Sequence, residues 1–239
     1  MITAGHPAAV HAAAHTAVHA ADSLVVARRV RCGEASYDYA VYTPDARTPL
    51  PAVLLLHGAH GRAADLLDAW RPLAARERIA LVAPQLPSTA AFEAVAPMVF
   101  RCVVHDAERA VAVDAGRVYL FGYSMGGYLA FDGGLLASDT FAGTAVYAAA
   151  IADDYTALVD SAARRRPFAL YIGDRDPFYS VAQVRRTRDL LTAHGFPVRY
   201  VEIPDQDHGY APVATRVNAD AWAYLRPYRL SDTARAGPR

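Results

Sequence analysis

Val118-Tyr119-Leu120-Phe121-Gly122-Tyr123-Ser124-Met125-Gly126-Gly127 is the stretch on which the reading of this chain turns. Its first four residues are apolar without interruption, the pattern of a short strand buried on both faces. A helical pattern opens after Ser124, so Gly122-x-Ser124-x-Gly126 falls between a strand and a helix. A serine held at so sharp a turn needs neighbours two positions away with almost no side chain, and Gly122 and Gly126 meet that need. The serine then sits at a helix N-terminus, where free N–H groups and the helix dipole favour a developing anion. The competing reading is a glycine-rich turn with no chemistry. The strand before and the helix after weigh against it.

Outward from this point, strand and helix patterns alternate. Upstream, residues 23–31 and 36–42 flank Cys32-Gly33-Glu34 as a hairpin, and Val53 to Leu56 is a buried strand ending at His57-Gly58. A helix over 63–76, a strand over 79–82 and a helix over 98–111 follow. Downstream come strands over 144–148, 168–172 and 198–203, with helices over 155–163, 181–194 and 213–225 between and after them. Such alternation with short connections predicts an α/β fold: a mostly parallel sheet with helices on both faces. No linker or repeat divides it, so residues 23–230 read as a single domain. The longest irregular stretch, 84–97, is at most a small flap, and there is no room for a large cap domain.

The ends differ. Residues 1–22 are rich in Ala with interspersed His and read as a peripheral arm, and residues 231–239 read as a disordered tail. His11, His15 and His19 would share one helical face. A metal there would lack a nearby carboxylate or cysteine to complete its shell, so a solvated arm is the better expectation.

The 239-residue chain balances 24 basic against 24 acidic residues, so no global field recruits nucleic acid or an anionic membrane. All the basic residues are Arg. The absence of Lys excludes a Schiff-base lysine and a P-loop lysine. The two cysteines, Cys32 and Cys102, do not make a disulfide framework in a chain this long, and Cys102 sits in an apolar run as a small buried hydrophobe. No stretch has the length and apolarity of a membrane span, and the N-terminal residues lack a basic signal region, so the expected compartment is the cytoplasm. No cofactor and no metal are expected, and the expected partner is a small molecule.

A serine hydroxyl needs a base to take its proton, and the base needs a group to orient it. After the strand 168–172 comes Gly173-Asp174-Arg175-Asp176-Pro177, and after the strand 198–203 comes Asp205-Gln206-Asp207-His208-Gly209-Tyr210. Both loops leave the strand ends on the side of the sheet where Ser124 lies. Spacing alone leaves Asp174 and Asp176 open as the acid. His57, His105 and His194 read as structural or surface residues, and Asp205 and Asp207 as organisers of the loop around His208.

From about Tyr37 to the last helix the chain resembles the α/β-hydrolase superfamily, in particular small esterases of the polyhydroxybutyrate-depolymerase-like and dienelactone-hydrolase-like kinds. The landmarks are Leu56-His57-Gly58, Gly122-Tyr123-Ser124-Met125-Gly126-Gly127, Gly173-x-x-Asp176 and Asp207-His208-Gly209. The resemblance implies a Ser124, Asp176, His208 triad, with Asp176 preferred because it lies three residues after the Gly. It also implies an oxyanion hole from the N–H of Met125 and that of Ala59, with His60 as the second choice for the latter.

On this basis the expected activity is hydrolysis of carboxylic esters with small or medium acyl groups through an acyl-serine. Acyl transfer or thioester hydrolysis by the same triad, and a non-catalytic binding protein on the same scaffold, are the alternatives. Tyr123, His60, Tyr179 and Tyr210 are the expected substrate contacts, with Phe178 and Gln85 in the same loops.

Overall fold

The computed structural model describes residues 24–44, 48–87, 89–152 and 155–231. The arm expected over 1–22, with His11, His15 and His19, and residues 232–239 of the expected tail lie outside them. The chain opens with a hairpin, β1 (Leu24–Cys32) and β2 (Ala35–Thr43), then runs through β3 (Leu50–Leu56), α1 (Ala63–Glu77) and β4 (Ala80–Pro84). The expected flap holds a single helical turn, α2 (Ala90–Glu93), and leads into α3 (Ala96–Ala110). Next come β5 (Val113–Tyr123), α4 (Met125–Leu136), β6 (Gly143–Tyr147), α5 (Thr156–Ser161) and β7 (Phe168–Gly173). The chain closes with α6 (Val181–Ala193), β8 (Val198–Ile203), a 3-10 turn over Ala211–Val213, and α7 (Ala214–Leu225).

The strands form one eight-stranded sheet in the order β1-β2-β4-β3-β5-β6-β7-β8. β1 pairs antiparallel with β2, and β2 antiparallel with β4; every other pairing is parallel. β3, β4, β6 and β7 are buried at every position, as their uninterrupted apolar runs predict for a sheet covered on both faces. β5 begins five residues before its apolar run because its first half pairs with β3 only at Leu50–Val113 before the register shifts. α4 is apolar all round and buries most of its length, packing on β5, β6 and α3. Trp70, Phe100, Phe121, Phe131 and Phe168 fill the space between sheet and helices.

One sequence expectation fails here. Cys32 and Cys102 are bonded to each other, with their Cα atoms 5.9 Å apart. The sequence places them 70 residues apart and cannot show that the end of β1 lies against the middle of α3. The same contact is reinforced by Arg28 and Tyr39, which both reach Asp106 on α3. The sheet edge is thereby tied covalently to a helix that would otherwise hold it by packing and the Asp106 contacts.

Cross-linking so distant a pair constrains the unfolded chain, a stabilisation on the order of 2–4 kcal/mol. Cys32→Ser with Cys102→Ser should therefore lower Tm by about 5–15 °C, measured by circular dichroism. Alkylation of the denatured, unreduced wild-type protein should find no free thiol; two alkylated cysteines would overturn the bond.

Candidate active site

Ser124 occupies the point where β5 gives way to α4, with φ 54° and ψ −118°. A non-glycine residue in that region is strained and is held only by its surroundings. Ser124 N–H donates to the Tyr147 carbonyl on neighbouring β6 at 3.0 Å. The flanking glycines are sterically required. A Cβ on Gly122 would stand 2.1 Å from the Gly126 carbonyl oxygen, and one on Gly126 would stand 2.0 Å from the Leu56 oxygen at the end of β3.

Two later loops arrive at this turn. His208 Nε2 lies 2.8 Å from Ser124 Oγ, and His208 Nδ1 lies 2.7 Å from Asp176 Oδ2. Nδ1–H donates a hydrogen bond to the carboxylate, which leaves Nε2 as an acceptor for the serine hydroxyl. The Asp176 side chain is 0% exposed and His208 17%. The other Asp176 oxygen accepts from the backbone N–H groups of Phe178 and Tyr179 at 2.8 and 3.0 Å, so the carboxylate is fixed from both sides. Asp174, the competitor left open by spacing, is exposed to solvent and its side chain reaches neither His208 nor Ser124.

What brings the two loops together is a close approach at Gly173, where a Cβ would stand 2.2 Å from the Gln206 carbonyl oxygen. The His208 loop is held further by the Tyr147 hydroxyl, which donates to the Gly209 carbonyl at 3.0 Å, and by Gln206 Nε2, which reaches the same oxygen at 2.7 Å. Asp207 organises the loop as expected, accepting from Gly209 N–H at 2.8 Å. Asp205 instead pairs with Arg175 across the two loops. Ser180 and Gln183 form a reciprocal cap that starts α6 immediately after the Asp176 loop.

The turn after β3 is built by a residue pair whose partnership sequence reading missed. His57 is buried, and its Nε2 accepts from the Leu86 N–H at 2.9 Å and from Gln85 Nε2 at 2.9 Å. Its Nδ1 therefore carries the proton and donates to the Gly58 carbonyl at 2.8 Å. Burial holds the imidazole below its ordinary pKa, which keeps it in this neutral form. Gln85 also donates to the Gly61 carbonyl and accepts from the Ala63 N–H, both at 3.1 Å. The segment from His57 to Ala63 is thus clamped to the end of β4. Within it Gly61 N–H closes on the Gly58 carbonyl, leaving Ala59 and His60 at the tip of a tight turn. No acceptor among the described residues takes the Ala59 or the Met125 N–H.

Ser124 and His208 open on a cleft of about 640 Å³. Ala59 and Met125 line it, as the oxyanion-hole reading requires, and so do Tyr123 and Tyr179. Glu93, Tyr128 and Phe178 also line it. Of these the sequence reading named only Phe178. His60 and Tyr210 do not line it, and both expectations are corrected. His60 points from the turn tip with φ 56° and is exposed. Tyr210 is 7% exposed, stacks on Tyr123 with ring centroids 5.6 Å apart, and gives its hydroxyl to Asn218 on α7. It supports Tyr123 from beneath. His105 and His194 are structural or surface residues as expected: His105 is exposed beside Glu108, and His194 ends α6 with Nδ1 donating to the Leu190 carbonyl.

A polar relay stands behind the cleft wall. Tyr128 and Asp132, one turn apart on α4, both reach the Tyr155 hydroxyl, which donates to Asp132 Oδ1 at 3.0 Å. Burial is the main cause that pushes the Asp132 carboxyl up to about 6; the Tyr155 hydrogen bond opposes it and the Glu93 charge adds to it.

Comparison with known proteins gives three findings. Residues 53–238 match the model of the alpha/beta hydrolase family. No curated protein sequence gives a significant match. Solved structures of the same architecture include an S-formylglutathione hydrolase from Staphylococcus aureus, with TM-score 0.72 and 16% identity over 86% of this chain and 97% of that one. They also include a candidate dienelactone hydrolase from Klebsiella pneumoniae, with TM-score 0.72 and 16% identity over 86% of this chain and 100% of that one. A third is an S-formylglutathione hydrolase from Agrobacterium tumefaciens, with TM-score 0.67 and 18% identity over 84% of this chain and 94% of that one.

Two substitutions test the surroundings of the cleft. Tyr210→Phe keeps the ring under Tyr123 but strips Asn218 of a buried donor, so it should cost about 1–2 kcal/mol in urea unfolding while KM for any turned-over substrate stays within twofold. A large rise in KM would make Tyr210 a substrate contact after all. Asp132→Asn removes a carboxyl whose folded pKa lies above its unfolded value. The stability such a group contributes is complete below about pH 4 and is lost as pH rises past about 6. The variant should therefore gain up to about 2 kcal/mol over wild type at pH 7.5 and almost nothing at pH 4, read from paired thermal melts.

Proposed function

The chain belongs to the alpha/beta hydrolase family, and from that premise we propose that it is a serine hydrolase of carboxylic esters, working through an acyl-Ser124 intermediate. The observation that carries the proposal is the unbroken hydrogen-bonded series from Ser124 Oγ through His208 to the buried Asp176 carboxylate, opening on a solvent-connected cleft. His208 Nε2 takes the Ser124 proton as Oγ bonds to the ester carbonyl carbon. The oxyanion that forms is met by the N–H groups of Met125 and Ala59, both free of other acceptors and both in the cleft. Collapse breaks the bond to the alcohol oxygen, and His208 returns its proton to that oxygen. Water then repeats the sequence on the acyl-serine, with His208 again as base and then acid, and releases the carboxylic acid.

The Asp176 carboxylate orients His208 and steadies its positive charge between these steps. Small or medium acyl groups suit a cleft of about 640 Å³ that has no helical domain over it among the described residues. The same triad would accept a thioester; the open cleft, accessible to water, favours hydrolysis over transfer to another acceptor. No helix among the described residues is long and apolar enough to cross a membrane. The disulfide weighs against the cytoplasm expected from the sequence, because cytosolic thiols are held reduced, and argues for an oxidising compartment.

A fluorophosphonate probe should label Ser124 in the wild-type protein and leave Ser124→Ala unlabelled, with kcat on p-nitrophenyl esters falling at least roughly 10⁴-fold in Ser124→Ala and His208→Ala. Asp176→Asn should lose roughly 10³- to 10⁴-fold, while Asp174→Asn stays within about twofold. A folded wild-type protein that takes no label and turns over no ester would sink the proposal; the reverse order of the two Asp variants would reassign the acid.

A further inference from the structure

We infer that the cleft wall carrying Glu93, Tyr128, Tyr123 and Tyr179 is a subsite for a cationic group, an ammonium or quaternary ammonium carried by the ester; the inference rests on the ester-hydrolase reading of Ser124. Among the described residues, Glu93 and His208 are the only lining side chains with an acidic or basic group, and none is Arg. No described cation pairs with the Glu93 carboxylate. Its placement is not accidental to a loose loop. Phe92, next to it in α2, is buried and packs against Tyr37 and Phe100 with ring centroids 5.7 and 6.3 Å away, which fixes the turn that presents Glu93.

Further negative charge lies behind the wall. Asp176 is buried beneath His208, and Asp132 lies behind Tyr128, close enough to Glu93 for the two carboxylates to repel. A cleft bearing one sign of charge on low-dielectric walls concentrates ligands of the opposite sign. Tyr155 has one hydroxyl proton. With Asp132 ionised the Tyr155 O–H donates its hydrogen bond to the carboxylate, so Tyr128 donates to Tyr155 and its oxygen keeps a lone pair that a cation can face. Tyr123, Tyr179 and Phe178 all stand around His208, with ring centroids 5.4, 6.1 and 4.8 Å from its own. Aromatic faces attract a cation through the ring quadrupole, most strongly where water is partly excluded. Among the described lining residues an anionic ester meets no Arg, and a neutral one gains nothing from the Glu93 charge.

The test compares esters of equal shape that differ in charge. Butyrylthiocholine is paired with its uncharged isostere S-(3,3-dimethylbutyl) thiobutyrate, and p-nitrophenyl 4-(trimethylammonio)butyrate with p-nitrophenyl 5,5-dimethylhexanoate. In at least one pair the wild-type protein should favour the cation by about 5- to 20-fold in kcat/KM, chiefly through KM, and the preference should shrink at 0.5 M salt. Glu93→Gln, a substitution at an exposed position that spares the fold, should cut the preference to about a third or less. Equal turnover of both members in both pairs, or a preference that Glu93→Gln leaves intact, overturns the subsite while leaving the ester-hydrolase reading standing. Failure of all four esters together with absence of fluorophosphonate labelling overturns both.

Discussion

Gly126 and the carbonyl of Leu56 approach so closely that a single methyl group between them would have no space. That contact sets the N-terminus of α4 against the end of β3 and forces Ser124 into its left-handed conformation. Nearly everything at the site follows from it. The serine hydroxyl is lifted to the carboxyl end of the parallel sheet. The Met125 N–H faces the cleft instead of a preceding carbonyl, and the turn after β3 is brought alongside to offer a second N–H. The cost of the strained residue is offset by the burial of α4, most of whose residues are enclosed by the sheet and neighbouring helices.

The second requirement is that two loops more than thirty residues apart in sequence meet at one imidazole. Here the backbone does most of the work. Gly173 lets the β7 loop touch the β8 loop, Tyr147 reaches across from β6 to hold the histidine loop, and two backbone N–H groups grip Asp176. A carboxylate held in this way has little freedom to rotate away from His208. The histidine tautomer is set as a result, because a proton on Nδ1 is the one that a fixed carboxylate retains.

The cleft also has a chemical polarity that the hydrogen-bonded series alone does not convey. Its lining offers main-chain N–H donors, from Ala59 and Met125, together with side-chain acceptors and aromatic rings, from Glu93, Tyr128 and Tyr179. The donors are main-chain groups, which the proposed reaction would ask of any site of its kind. The acceptors are side chains on α2, α4 and the loop after β7, and under the proposal they would tell one ester from another. From Tyr128 the relay through Tyr155 leads to Asp132, in the half of α4 turned to the core.

Much of this was legible in the chain itself, because the determinants are local. Uninterrupted apolar runs announce strands buried on both faces, so β3, β5, β7 and the parallel sheet could be read directly. The spacing of Gly122, Ser124 and Gly126 is a steric statement about one turn, and the order of Ser124, Asp176 and His208 follows from strand order. The resemblance of Gly173-x-x-Asp176 to a known family chose between two carboxylates, and burial of one and exposure of the other agree with that choice. What only the tertiary structure decided depends on residues far apart in sequence becoming neighbours. Cys32 meets Cys102, Gln85 joins His57 to clamp the turn after β3, and Tyr210 turns into the core beneath Tyr123 where the sequence suggested a substrate contact. Glu93, in a stretch that reads as a featureless flap, reaches the cleft because Phe92 anchors it. Periodicity and local sterics specify elements and turns; which side chains share a wall is set by packing between elements, which no short stretch of sequence encodes.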